Sequence, residues 1–281
     1  MSTKNDQQYQ QAYRKGKDFL LGLLRPSTTD PEGVLAHYIE FPDTSATATS
    51  LEKVFERMLV SAQNANMKAG VIGGSIGGMD NLGPVVCGFH PGRVAETYGD
   101  DWESLLSAVE TQLKPNGKMR KTTQSIWPKY CKTVVSAARF FSQFKTGAEF
   151  YDWARHFYDD KKSMAALPLI LSEEIYGIGY ALACDFLKEL GFTNYGKPDV
   201  HIIDLFTGLG LCDKSASPYE IQKVIVAMAN ANNVSAYNVD KLFWLIGSGK
   251  FYNHPNIGND GGVGRNKQRF LDEVAAEGMS Q

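Results

Sequence analysis

The residues able to do chemistry gather between positions 164 and 211. Asp199 follows Pro198 and precedes an apolar run, Val200 to Leu209, that Gly210 could end. An aspartate in that setting caps a helix, its carboxylate accepting the open amides of the first turn. A carboxylate so placed can also stabilise positive charge developing on a substrate carbon, or orient and deprotonate a water. Residue type alone leaves both roles open. Twenty residues earlier stands Tyr176-Gly177-Ile178-Gly179. Two glycines around one apolar residue let the backbone turn sharply with its amides bare. Bare amides leading into a helix can approach a phosphate closely. The same pair also serves in plain helix connections. His201, two residues after Asp199, does not share its helix face and is expected to be structural, bonding towards the hairpin. Asp204 is a second carboxylate on the same run, whereas Cys184 and Asp185 read as packing and surface.

These groups need helices to hold them. Leu167, Ile170, Leu171 and Ile175 run at helical spacing, and so do Leu182, Ala183, Phe186, Leu187 and Leu190, which Gly191 stops. The order is therefore helix, glycine turn, helix, loop, helix. Upstream, Tyr9, Tyr13, Phe19, Leu20, Leu23 and Leu24 give a first helix, and Pro26 to Thr49 reads as irregular. Ser50 caps a helix bearing Val54, Phe55, Met58 and Leu59. The run from Gly70 to Gly83 reads as a flexible glycine loop, since its glycine order is not a dinucleotide fingerprint. Ile126 to Phe144 is a long helix and Glu149 to Tyr158 a short one. Ser217-Pro218 starts another, and Val239 to Ile246 is a further apolar helix stopped by Gly247 and Gly249. A glycine-rich loop, Gly258 to Gly264, precedes Arg265, Lys267 and Arg269. No stretch alternates as a strand, so the fold class is all-α.

The Ile175–Gly179 hairpin and the Pro198-Asp199-Val200-His201 segment resemble the helix-hairpin-helix DNA glycosylase superfamily. The resemblance covers about Leu51 to Leu211. It implies two helical subdomains flanking a DNA-binding cleft, one over 51–200 and one from 1–50 with 201–281. It implies a catalytic role for Asp199 and backbone contacts to DNA at Gly177, Ile178 and Gly179. Some members carry a nucleophilic lysine two residues after the second hairpin glycine; that position is Ala181, and Tyr176 replaces the usual hairpin proline. Leu59-Val60-Ser61-Ala62-Gln63 resembles the segment whose glutamine fills the hole left by an extruded nucleotide, which makes Gln63 the expected wedge. No cysteine follows Cys212, so no iron–sulfur cluster is expected, and the only inorganic partner implied is a monovalent cation at the hairpin.

Composition narrows the rest. The 281 residues are 43% hydrophobic and 21% charged, an ordinary globular balance with no membrane-length apolar run. Four separated cysteines and a polar, mixed-charge start predict an intracellular, reducing setting, cytoplasmic or nucleoid-associated, and a monomer. Net charge is only −2, yet Thr111 to Ala148 holds eight lysines and arginines and no carboxylate. Such an island suits a phosphate backbone, with Lys118, Arg120 and Lys121 as contact candidates. Trp127, Phe243, Trp244 and Tyr252 are candidate walls for a pocket stacking an extruded base, and each would equally suit a core.

Three functions fit this reading. The first is a monofunctional glycosylase that releases a damaged or modified base by hydrolysis, without lyase activity because Ala181 cannot form a Schiff base. The second is a transferase on the same scaffold that attaches an amine or amino acid to a hypermodified thymine in phage DNA. The third is a non-catalytic DNA-binding protein.

Overall fold

A computed structural model of the protein describes residues 4–42, 50–65 and 70–277. Helices dominate, and apart from two isolated bridges no strand occurs among the described residues. The chain forms two compact units, Met1–Thr44 with Gly191–Gln281, and Ser45–Leu190.

The inner unit contains α3 (Leu51–Ala62), α4 (Val71–Ser75), α5 (Pro91–Tyr98), α6 (Trp102–Ala108), α7 (Ile126–Phe141), α8 (Gly147–Tyr158), α9 (Ala166–Glu174) and α10 (Tyr180–Glu189). Helix α7 is its spine, touching α3, α5, α6 and α9. The reason is compositional. Small and β-branched residues Thr133, Val134, Val135, Ser136, Ala137 and Ala138 are all buried, so neighbours approach on several sides. Phe55, Phe141, Phe150 and Phe186 fill the centre in tilted and edge-on contacts at 5.4–6.0 Å. The segment read as a flexible glycine loop contains α4 and a 3-10 turn, Met79–Leu82, because Ile72 and Leu82 find buried sites.

The terminal unit contains α1 (Lys4–Leu24), α2 (Pro31–Ile39), α11 (Val200–Gly208), α12 (Pro218–Asn232), α13 (Ala236–Ser248) and α14 (Lys267–Ala276). Its core joins Leu20, Leu24 and Leu35 from one chain end to Phe206, Phe243, Phe251 and Phe270 from the other. Helices α1 and α13 meet where Gly16 lies; a methyl there would already touch Ile246 and Leu242 at 3.4 Å. Two helices differ from expectation. Helix α2 lies inside the stretch read as irregular: Asp30 accepts from the Gly33 amide and Pro31 takes the first turn, so the proline starts a helix there. Helix α14 follows the glycine-rich loop and buries only Phe270 and Val274, too sparse a stripe to stand out.

The chain enters the terminal unit at Gly191, ahead of the boundary read from the sequence at 201. Tyr195 is fully buried, the Gly196 amide donates to Gln222 Oε1, and the Tyr237 amide donates to the Thr193 carbonyl. Residues leading to Asp199 are thus fastened to α12 and α13.

Candidate functional site

The glycine turn between α9 and α10 is fixed by different forces at its two glycines. Gly177 has φ +76°, and a Cβ there would lie 2.8 Å from Thr133 Oγ1 on α7. Both backbone and space demand glycine. Ile178 between them is buried and plugs the turn into the core. Gly179 has φ −83° and ψ 167°, which any residue can adopt, and no protein atom stands within 4 Å of its missing Cβ. The fold does not require glycine there. As N-cap of α10 it offers no side chain to the first-turn amides, so the positive end of the helix is left for an outside acceptor.

Helix α7 holds this turn. The Tyr176 amide donates to Ser136 Oγ at 2.9 Å, and Ser136 Oγ donates to the Glu174 carbonyl at 3.3 Å. Tyr176, at the position where proline is usual, is 47% exposed. The Lys132 ammonium lies 4.8 Å from the Trp102 ring and 5.8 Å from the Tyr176 ring. In the sequence, lysine at position 132 is one charge among eight; what sets it apart is the pair of rings beside the turn.

Of the basic-loop residues, Lys118 and Arg120 are exposed and make no ion pair among the described residues. Lys121 is held by Glu110 at 2.7 Å, and Arg139 by Asp100 at 2.7 Å. The island is therefore less positive than its sequence window, because carboxylates just outside that window fold back on it.

Gln63 closes α3 and is 8% exposed. Its Oε1 accepts from the Gly73 amide at 3.2 Å. The side chain expected as a wedge is thus tucked onto α4, and insertion into a duplex would require that bond to open. Just before it, Ser61 Oγ receives a bond from Arg57 and donates to Asp185 Oδ2 at 3.0 Å. Lys188 lies 3.5 Å from the same carboxylate, and both partners are buried. Asp185 is therefore not a surface residue. It ties the end of α3 to the helix that follows the glycine turn.

In the terminal unit Asp199 is the N-cap of α11, part-buried, with extended backbone. Its Oδ1 accepts from the His201 amide at 2.8 Å and the Ile202 amide at 3.3 Å. Oδ2 receives no hydrogen bond among the described residues. The first oxygen fixes the carboxylate's orientation and the second remains available. His201, expected to bond towards the hairpin, packs within the terminal unit. Its ring fills the space left by Gly247 on α13, where a Cβ would lie 2.7 Å away. Its buried Nδ1 has no hydrogen-bond partner among the described residues. Burial holds its pKa below the usual histidine value, with Lys267 and Arg265 acting in the same sense and Asp199 and Asp204 opposing. Asp204 is paired with Lys267 at 2.5 Å.

The candidate pocket aromatics separate. Phe243 is fully buried against Phe206 and Phe270, so it belongs to the core and walls no pocket. Trp127 is buried edge-on to Tyr130 in the inner unit. Tyr252 is 60% exposed and lies 6.3 Å from the part-buried Trp244 and 5.3 Å from Tyr38. A cavity of about 440 Å³ opens beside Val200 and His201. Burial pushes the Cys131 thiol up to about 12, which leaves it inert as a nucleophile.

No family model matches the chain. A curated 8-oxoguanine DNA glycosylase/AP lyase of Korarchaeum cryptofilum (strain OPF8) is 26% identical over 86 residues. That match takes in 28% of this chain and 41% of the archaeal protein, so the chain spans about two fifths of that relative's length. Two solved structures from Methanocaldococcus jannaschii are similar over nearly their whole length. One, an 8-oxoguanine DNA glycosylase, is 17% identical with a TM-score of 0.53, covering 88% of this chain and 99% of its own. The other, an 8-oxoguanine glycosylase/lyase in complex with a 15mer DNA containing 8-oxoguanine, is 18% identical with a TM-score of 0.51, covering 81% and 96%. At these identities the likeness is one of fold. The chain has the all-α fold of these glycosylases, as the resemblance of its hairpin and Asp199 segments implied.

Proposed function

We propose that the protein is a DNA N-glycosylase that releases an altered base by hydrolysis. The observation that carries this reading is the divided carboxylate of Asp199. One oxygen is fastened to two amides of α11, and the other has no donor among the described residues. Departure of a base with the electron pair of its bond to C1′ leaves positive charge on the deoxyribose. A fixed carboxylate stabilises that charge without having to reorganise. Water then supplies its oxygen to C1′, its proton passes to Asp199 or to solvent, and the departing base takes up a proton.

Ala181 stands in the first turn of α10, where lyase members have lysine. With no amine to attack C1′, strand cleavage does not follow base release. The uncapped amides after Gly179 suit a phosphodiester, which would set the register of the strand without reading its sequence. The names of the similar proteins make 8-oxoguanine the first base to test. Backbone carbonyls of the hairpin would hold a monovalent cation if one binds, and no step depends on it.

The test is incubation with duplexes carrying one altered base each, 8-oxoguanine first, scored for free base and for strand breaks with and without alkali. Wild type is expected to release base and to leave strands that break only in alkali. Asp199→Asn is expected to lose at least about 100-fold in release while its duplex affinity changes little. Equal release by both proteins would remove Asp199 from the chemistry. Breaks without alkali would remove the monofunctional reading, and added mass on an intact nucleoside would establish transfer instead.

A further inference from the structure

The glycine-rich loop after α13 is built to tight tolerances. A Cβ on Gly249 would lie 1.7 Å from the Gly264 carbonyl oxygen, one on Gly258 2.2 Å from that of Gly262, and one on Gly261 2.5 Å from that of Phe251. All three have positive φ. The loop is laced by the Phe251 amide to the Gly261 carbonyl at 2.6 Å and the Val263 amide to the Gly249 carbonyl at 2.9 Å. Phe251 and Ile257 anchor it in the core. Asn266, buried, closes it by donating from Nδ2 to the carbonyls of Val263 and Gly264. Glycines surrender more conformational freedom on folding than other residues, so a loop of this kind costs stability. What it does is set two cations beside the start of α11.

Those cations differ. Lys267 is engaged, donating to the Val200 carbonyl at 3.3 Å and to Asp204. Arg265 is exposed and has neither an ion pair nor a hydrogen bond among the described residues. Both line the cavity of about 440 Å³, together with Val200, His201 and Gln268. Val200 is 64% exposed, an apolar side chain presented to solvent next to Asp199. Of the acidic groups nearby, Asp204 is paired with Lys267, and Asp199 is held through Oδ1 by two amides while its Oδ2 has no donor among the described residues. The unpaired cation lining the cavity is the Arg265 guanidinium, with Val200 as its apolar neighbour. That combination fits a sugar–phosphate unit, with a planar fork for two phosphate oxygens and a hydrocarbon surface for the deoxyribose.

We infer that this cavity seats a phosphodiester of the DNA strand adjoining the nucleotide on which Asp199 acts, with Arg265 holding the phosphate and Val200 the neighbouring sugar. The inference rests on the DNA-glycosylase reading. The glycine-rich tail is then the arm that carries this arginine to the strand.

The experiment is duplex binding by fluorescence anisotropy across a salt series, with a tetrahydrofuran abasic analogue in the strand, for wild type, Arg265→Gln and Arg265→Lys. Arg265→Gln is expected to weaken binding roughly tenfold at low salt. Its slope of log affinity against log salt should fall by about 0.9, one phosphate's worth. Arg265→Lys should restore the slope. A neutral methylphosphonate is then placed at each phosphate flanking the analogue in turn. At one position wild type should lose the same factor and Arg265→Gln should lose nothing further. A wild type that binds with a salt slope which Arg265→Gln shares, or a cycle with no such position, would overturn the inference and leave the DNA reading intact. A wild type with no salt-dependent binding would take both down.

Discussion

At the scale of single residues, the two glycines of the turn make a natural pair of controls. Gly177→Ala puts a Cβ at φ +76° and 2.8 Å from Thr133 Oγ1. It is expected to cost about 1–2 kcal/mol from the left-handed backbone alone. Gly179→Ala meets no protein atom and no left-handed strain; a gain of about 0.4–1 kcal/mol from a stiffer unfolded chain is offset by alanine's poorer standing at the N-cap of α10, so stability should change little. DNA binding should run the other way: the Gly179 variant stays folded but places a methyl where a phosphate would approach the α10 amides. Thermal melting and anisotropy on both proteins check this. A Gly179→Ala protein with wild-type affinity would mean that the open side of the turn faces no ligand. His201 and Phe243 mark where residue type misleads. A histidine two positions from Asp199 invites a hydrogen-bonding role, yet the missing side chain at Gly247 gives its ring a seat against α13. An aromatic on an apolar helix can face core or solvent, and only the third dimension separates Phe243 from Trp244.

At the scale of elements, the tie between α3 and α10 carries the inner unit's least obvious charge. Asp185→Ala would take a charged partner from the buried Lys188 ammonium and a hydrogen-bond acceptor from Ser61. Removing one member of a buried pair costs about 3–5 kcal/mol, whereas replacing both by apolar groups is often nearly neutral. Urea denaturation should therefore show a large loss for Asp185→Ala and recovery of most of it in Asp185→Ala with Lys188→Met. A double variant no more stable than the single one would mean that Lys188 is satisfied without Asp185. Helices α1, α3, α9, α10 and α11 were legible because each joins an apolar stripe to a recognisable start or stop, such as Ser50, Gly179 or Asp199. Helix α2 was hidden by the prolines around it, although Asp30-Pro31 is itself a start signal. Helix α14 was hidden because a surface helix that buries two side chains leaves little period to read. The Asp185 network was illegible for a different reason: its partners lie 124 residues apart in the chain.

At the scale of the molecule, the order of the chain divides the work unevenly. The unit Ser45–Leu190 is continuous and contains the glycine turn, Gln63 and the basic window. The unit holding Asp199, Arg265 and the aromatic pair Trp244 and Tyr252 is assembled from both chain ends. Helix α1 lies against α12, α13 and α14, and its Leu20 and Leu24 share one core with Phe243 and Phe270. This asymmetry makes a prediction about pieces. Residues 45–190 expressed alone keep their own phenylalanine core and should unfold cooperatively. They should bind duplex DNA with a reduced salt slope, and should release no base because Asp199 is absent. A chain lacking residues 1–44 keeps Asp199 in its sequence but uncovers the faces of α12 and α13 that α1 buries. It should lose base release through loss of the terminal core, not through loss of any catalytic group. Circular dichroism melting of both pieces, with anisotropy and base-release assays beside it, separates these outcomes. An inner piece without a cooperative transition would show that the two units fold only together. A shortened chain with wild-type release would show that α1 is dispensable to the fold that positions Asp199.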